Sequence, residues 1–163
     1  DLQTLMSGQK FDVSYYDRYL KTPFGCFLML QFIEQLKTEL NFELRNFSFH
    51  GQDFSTEKYS TKVFHDFRNQ NSRKSFMEFY RYDLDAENMD ILSDQIPHYR
   101  YFEFSNDQYK IIIRPDAGIE HGWILVNGST TIEDLASLGN SIDILKRNNL
   151  PILYTVSIES LQN

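Results

Sequence analysis

One segment near the start of the chain constrains the fold more than any other. From residue 24 onward, apolar residues recur at every fourth position with two more beside them, the spacing of one helix face; they are Phe24, Leu28, Phe32, Leu36 and Leu40, flanked by Met29 and Ile33. Thr22 is a suitable N-cap, Pro23 suits the first helical position and Asn41 suits the stop. The pattern predicts a helix over residues 23–40 whose broad apolar face packs on a sheet.

Other segments are predicted to be strands, some from the period of two that is typical of strands and those at 109–114 and 123–126 from continuous apolar runs that indicate buried strands. They cover residues 11–15, 42–49, 99–104, 109–114, 123–126 and 151–158. In the second of these the apolar phase changes, so either both faces are covered or a bulge lies near Asn46. Turn residues separate the segments 99–104, 109–114 and 123–126. These three segments are therefore predicted to form an antiparallel meander.

The remaining segments are more polar. Residues 1–10 are expected to form a loose lead-in, and residues 85–96 an acidic helix with Met89 and Leu92 facing inward. Further helices are expected at 57–69, 72–80, 131–138 and 141–147. Because no linker is visible, we predict one domain over residues 11–163. Its expected class is α/β (α+β), with a mixed, largely antiparallel sheet covered by helices.

Composition narrows the class of protein. The 163 residues are 41% hydrophobic, which argues against disorder, and the formal charge of −7 argues against a free-standing duplex-DNA binder. The single cysteine, Cys26, has apolar neighbours and is expected to be a buried structural thiol. One cysteine, no signal peptide and no apolar run long enough to span a membrane favour a cytoplasmic protein. The first residue is Asp1, which fits a piece of a longer chain.

Short catalytic motifs are missing from the sequence. It has no glycine-rich phosphate loop, no nucleophile elbow and no set of histidines and cysteines at metal-ligand spacing. We therefore expect no cofactor and no metal site, and we favour a binding protein over an enzyme.

The segment 107–128 is the first candidate site. Lys110 and Arg114 have the same strand parity, and Asp116 and His121 lie in or beside the turn that follows. Two cations, a carboxylate and an imidazole can bind an anion or carry out acid–base chemistry. A solvated hairpin with charges on its outer face explains the same pattern.

Two further candidates lie elsewhere. One is a basic and aromatic stretch that can hold phosphates and stack bases, or can form ordinary amphipathic helices that pair with the acidic residues after it; its cations are Lys58, Lys62, Arg68, Arg73 and Lys74. The other is Asp17 with Arg18, just before the long helix. This pair either positions a ligand or tethers its loop to the sheet.

Four segments carry a resemblance to a known family. They are YYDRYLKT, NFELRNFSFHG, YFEFSNDQYKIIIRPDAGIEHGWILVNG and SLGNSIDILKRNNLPILYTVSIES. In this order they resemble the phospholipase-D-like domain that follows the MIT domain in membrane-trafficking proteins, and its bacterial relatives, over residues 11–158. The enzymes of that fold need HxKxxxxD. Here Gln108 replaces the histidine, and Asp116 stands one position late after Lys110. The resemblance therefore implies an inactive version that recognises a partner or phosphate groups, with peripheral membrane contact as a weaker implication.

Three functions remain open. The leading hypothesis is a non-catalytic interaction domain of a larger protein, which recognises a protein or a phosphate-bearing ligand through Lys110, Arg114, Arg18 and His121. The second is a divergent phosphodiester hydrolase or nuclease that works through His121, Asp116 and Lys110. The third is a nucleic-acid-binding accessory domain in a bacterial defence or helicase assembly, built on the basic stretch between residues 58 and 81.

Overall fold

The fold is given by a computed structural model that describes residues 1–18, 20, 23–51, 84–92, 99–115 and 154–161. Its elements, in chain order, are α1 (Leu2–Met6), β1 (Lys10–Asp17), α2 (Pro23–Leu40), β2 (Glu43–Gly51), β3 (Asn88–Leu92), β4 (Tyr101–Ser105), β5 (Tyr109–Pro115) and β6 (Tyr154–Ser160). The strand predicted at 123–126 and the helices predicted at 57–69, 72–80, 131–138 and 141–147 lie outside the described residues.

The strands form one six-stranded sheet in the order β3-β2-β1-β4-β5-β6. The first three strands along the chain are parallel neighbours, and α2 is the crossover that makes β1 and β2 parallel. The pairs β1–β4, β4–β5 and β5–β6 are antiparallel. The expected α/β class with a mixed, largely antiparallel sheet is confirmed.

The core lies between α2 and one face of the sheet, called the inner face below. Its strand residues alternate along β1, β2, β4 and β5 and are almost wholly buried: Phe11, Val13, Tyr15, Phe47, Phe49, Phe102, Phe104, Ile111 and Ile113. On the helix side, Leu28, Met29 and Ile33 are equally buried, and the ring of Phe32 lies 5.1 Å from that of Phe102. Because each fully buried apolar side chain contributes roughly 1.5–3 kcal/mol, this layer holds the helix on the sheet.

The long helix has the predicted bounds and ends for the predicted reason. Asn41 follows it at φ 53°, in the left-handed region that asparagine tolerates. The Asn41 carbonyl then accepts a 2.7 Å hydrogen bond from the Gly8 amide. Cys26, the single cysteine of the sequence, is fully buried, in agreement with a structural thiol. No helix among the described residues is long and apolar enough to cross a membrane.

A bulge explains the change of phase in β2. Phe11 of β1 pairs with Leu44, but the next residue, Asp12, pairs with Asn46. Arg45 is therefore an extra residue on β2, and Leu44 and Phe47 both reach the buried side. The prediction of a bulge near Asn46 is confirmed.

Two local predictions are wrong. Residues 88–92 form strand β3 and not part of an acidic helix, because their backbone pairs in parallel with β2, from Asn46 opposite Asn88 onward. Asp85, at φ 54°, is also incompatible with a continuous helix there. The first residues are no loose lead-in either: Asp1 caps α1, and Met6 is fully buried in the core.

Candidate functional site

The sheet face opposite α2, called the outer face below, carries the polar side chains of the strands. Alternation places Tyr16 of β1, His50 of β2, Tyr101 of β4 and Arg114 of β5 on this face. Strand register then decides which of them are neighbours.

An aromatic row crosses the outer face; we use this name for His50, Tyr16, Tyr101 and Tyr99. Tyr16 is the register partner of His50 on one side and of Tyr101 on the other. The Tyr16 ring centroid lies 4.1 Å from that of His50 and 4.4 Å from that of Tyr101, with 14° between planes in both pairs. Tyr99 continues the row, 5.7 Å from Tyr101. Three adjacent strands thus contribute the stacked rings of His50, Tyr16 and Tyr101, and Tyr99, tilted by 36° against Tyr101, extends the row.

The position of the row in the sheet follows from strand direction. Tyr16 and His50 stand near the carboxyl ends of the parallel strands β1 and β2, and Tyr101 opens the antiparallel strand β4. The carboxyl ends of strands are where open α/β sheets bind their ligands.

The two ends of the row differ in exposure. His50 is 8% exposed, whereas Tyr99 is 54% exposed. Since the inner rings already cover one another's faces, another planar group stacks most readily beside Tyr99. Arg114 is also there: its guanidinium carbon lies 4.8 Å from the Tyr99 ring centroid, a cation–π contact.

The cations of the outer face differ in whether a carboxylate lies close enough to pair with them. Arg114 is exposed and, among the residues that the structure describes, has no carboxylate within salt-bridge distance. Lys110 on the same strand is neutralised by Glu103, with 3.1 Å between Nζ and Oε2. Lys10, at the other end of the face, lies 3.4 Å from Glu43. Arg114 is therefore the cation best placed to meet an anionic ligand.

Burial raises the pKa of Tyr101 to about 12, with smaller contributions from Tyr16, Glu103 and Tyr99, while Arg114 opposes the shift. The Tyr101 hydroxyl consequently stays protonated at physiological pH and can donate a hydrogen bond.

A second group ties the start of β4 to the end of β1 beneath the row. Asp17 is 3% exposed and accepts hydrogen bonds from Tyr15 Oη at 2.8 Å and from Arg100 Nε at 3.2 Å. Burial and the neighbouring Asp17 raise the pKa of Tyr15 well above its usual value. Arg100 lies between Tyr99 and Tyr101, so this ion pair joins the end of β1 to the part of the row that leads into β4. The tethering role considered for Asp17 with Arg18, between their loop and the sheet, stays a prediction.

At the opposite end of the outer face, beside the bulge in β2, the polar side chains form hydrogen bonds with one another. Arg45 Nε donates to Asp12 at 2.9 Å, Asn46 donates to the same carboxylate at 2.7 Å, and Asn88 donates to Asn46 at 3.0 Å. The hydrogen bond from Arg45 is the main cause of the lowered pKa of Asp12, against a smaller opposing effect of burial. This cluster secures the bulge and leaves few groups for a ligand.

The residues proposed from sequence are only partly brought together. Lys110 and Arg114 do share the outer face, but four residues along a strand separate them by about 13 Å, too far to hold one small anion together. Arg18 follows β1 directly, at the end of the sheet that carries the aromatic row. Asp116, His121 and the basic stretch with Lys58, Lys62, Arg68, Arg73 and Lys74 lie outside the described residues, so their roles stay predictions.

Sequence reasoning missed the aromatic row. A signal for it exists: Tyr16 and Tyr101 occupy the polar phase of their strands, and Tyr99 has the same parity just before β4, at positions where large rings are unexpected. Their adjacency was not readable, because it depends on the parallel pairing of β1 with β2 and the antiparallel pairing with β4.

Comparison with known families identifies the relatives of the chain. Residues 2–123, 122 of its 163 residues, match the family model of the C-terminal domain of the DEAD/DEAH box helicase YjiV. The chain belongs to this family. No curated protein and no solved structure gives a significant match.

Membership of the YjiV C-terminal family corrects the resemblance drawn from short motifs. The chain is not a phospholipase-D-like domain of the MIT-associated kind, since the matching model covers most of the same segments. The resemblance rested on short, degenerate segments and on the order of strands and helices. The catalytic motif of the phospholipase-D-like enzymes was absent from it. The expectation of a domain from a larger protein is confirmed. The match includes the whole aromatic row and Arg114, and it ends before β6.

Proposed function

We propose that this domain binds single-stranded nucleic acid for its helicase, with a base stacked on the exposed Tyr99 end of the aromatic row and a backbone phosphate at Arg114. The observation that carries the proposal is the ring stack across three strands that ends at an exposed tyrosine and, within the described part of the chain, an arginine without a carboxylate partner. A helicase exposes single strands, which gives such a site its ligand.

The chemistry of the site favours single strands over duplex. Unstacked bases bind aromatic side chains and guanidinium planes, and each such stack contributes roughly 1–3 kcal/mol. Duplex binding depends instead on many phosphate contacts, and a chain with a formal charge of −7 has few cations to supply them. Phosphate recognition, expected earlier at Lys110 and Arg114 together, is assigned here to Arg114 because Glu103 neutralises Lys110.

Fluorescence anisotropy with labelled single-stranded and duplex oligonucleotides tests the proposal on the 163-residue chain. Tyr99→Ala should weaken single-strand binding by about 5- to 150-fold, since it removes one stack of roughly 1–3 kcal/mol. Tyr99→Phe keeps the ring and should bind nearly as the parent does. Both substitutions are at an exposed position, so neither should unfold the domain.

Arg114→Gln tests the phosphate contact. The slope of log affinity against log salt should become shallower by about 0.7, the value for one phosphate on a single strand. Lys10→Gln is the matched control, because it removes the same charge from the same face at a position already paired with Glu43. Equal effects of the two substitutions, or equal affinity for duplex and single strand, would contradict the proposal.

A further inference from the structure

Strand β6 forms one edge of the sheet, and among the described residues no strand pairs with its other side. The inner-face positions of β6 are apolar but exposed, Val156 to 40% and Ile158 to 47%. Their register partners in β5, Ile113 and Ile111, are 1% and 0% exposed. The apolar layer of the sheet therefore continues into β6, where it meets solvent.

The backbone groups on the open side of β6 can be assigned. The Leu161 amide donates to the Gln108 carbonyl at 2.8 Å, so the hydrogen-bonding groups of Leu161 point toward β5. In an antiparallel ladder hydrogen-bonded and non-hydrogen-bonded pairs alternate. Residues 155, 157 and 159 thus direct their amides and carbonyls to β5. Val156, Ile158 and Ser160 direct theirs to the open edge.

We propose that β6 pairs with β6 of a second copy of this chain, antiparallel, about a two-fold axis at Ser157. Residue 157 is the midpoint of β6, so an axis at this residue pairs all of residues 154–160 with the same residues of the second copy. The same register places the outward-directed groups of Val156 opposite those of Ile158 in the second copy, as a hydrogen-bonded pair requires.

The side chains in this register are self-complementary. On the inner face, each copy's Val156 meets Ile158 of the other copy, so the row from Phe102 through Ile113 continues across the axis without interruption. On the outer face Glu159 meets Thr155, and its charge faces Lys110 within its own copy. Within the paired strands, no like charges become neighbours.

Exposed sheet edges usually carry lysine, proline or a bulge that prevents such pairing. Strand β6 has none of these along residues 154–160, and its one charged residue is Glu159. A single strand pair buries less than the roughly 1,200 Å² of a stable interface, so the dimer should depend on protein concentration. The other edge strand, β3, is shorter and has an aspartate, Asp90.

A cysteine at the axis tests the register directly. Ser157 is predicted to face Ser157 of the second copy in a non-hydrogen-bonded pair, where Cα atoms are about 4.5 Å apart, within the range that a disulfide spans. Ser157→Cys should give a covalent dimer on mild oxidation. Thr155→Cys is the matched control on the same face. It should stay monomeric, because its predicted partner is Glu159.

Sedimentation velocity over a wide range of concentration tests the edge itself. The parent chain should shift from monomer to dimer as concentration rises. Ile158→Pro removes an amide that points to the open edge and should abolish the shift, whereas Ile158→Thr keeps the amide and should retain a weaker one. Both variants leave the hydrogen bonds between β5 and β6 in place.

If Ile158→Pro unfolds the chain, hydrogen exchange of the parent chain tests the same edge. Amides of Val156, Ile158 and Ser160 should gain protection with concentration, while those of residues 155, 157 and 159 should be protected throughout. A parent chain that is monomeric at every concentration would overturn the proposal. So would a dimer in which Thr155→Cys crosslinks as well as Ser157→Cys, or a strand from another protein that occupies β6 more tightly than a second copy.

Discussion

The buried pair of Asp17 and Arg100 gives a prediction whose magnitude follows from the structure. Asp17→Ala removes the acceptor of the fully buried Tyr15 hydroxyl and a carboxylate that pairs with Arg100. An unsatisfied buried hydroxyl costs about 1–3 kcal/mol, and breaking a buried ion pair costs about 3–5 kcal/mol. The Arg100 side chain is 29% exposed and can partly hydrate, which reduces the second cost. We expect the free energy of unfolding to fall by about 3–4 kcal/mol.

Urea unfolding followed by circular dichroism measures this loss, and a double-mutant cycle identifies its source. Tyr15→Phe deletes the hydroxyl that Asp17 satisfies, at a cost of about 1 kcal/mol. When Asp17→Ala is made in the chain that already carries Tyr15→Phe, it should therefore cost less than in the parent, by about 1–2 kcal/mol of coupling. Asp17→Asn keeps an acceptor for Tyr15 and should cost less than Asp17→Ala.

The same substitution reports on the aromatic row. Because Arg100 lies between Tyr99 and Tyr101, Asp17→Ala should also weaken oligonucleotide binding under conditions in which the variant remains folded. Strictly additive free energies in the cycle, or a loss under about 1 kcal/mol for Asp17→Ala, would refute the view that this carboxylate satisfies both neighbours.

Two predictions concern pH. Because the pKa of Asp12 is lowered in the folded state, its contribution to stability is present above the unfolded pKa and is lost as pH falls through the folded value; in acid titrations of stability, Asp12→Asn should flatten this part of the curve. The pKa of Tyr101 is raised from 10.0 to about 12, so its neutral form stabilises the fold below pH 10.0 and this contribution is lost as pH rises toward 12. In an ultraviolet difference titration, Tyr101→Phe should remove a tyrosinate transition near pH 12, and Arg114→Gln should move the Tyr101 transition to higher pH.

The hydrophobic periodicity of the sequence predicted helices and strands well where only one face of the element is buried. The fourfold spacing in α2 and the alternation in β4 each reflect one buried face, and the run of isoleucines at 111–113 indicated β5. The structure has these elements where the pattern places them. The phase change in β2 even indicated its bulge. Strand β3 was mistaken for a helix because its state is imposed by β2 and not by its own five residues.

The candidate site was predicted less well, since it depends on contacts between distant segments. Sequence parity placed Lys110 and Arg114 on one face, as observed. It could not show that Glu103 neutralises Lys110, or that Tyr99 lies against Arg114. The short motifs also pointed to a wrong family, because a similar order of elements occurs in unrelated proteins.

The sequence by itself determined the helix, the alternating strands, the buried thiol and the charge balance, since each depends on residues close together in the chain. Only the tertiary structure decided that β1 lies between β2 and β4, which brings residues 16, 50 and 101 into one stack. It also decided that β6 is an edge of the described sheet. Strand order and register arise from hydrogen bonds between distant segments, and a single periodicity contains no information about which strand will be the neighbour.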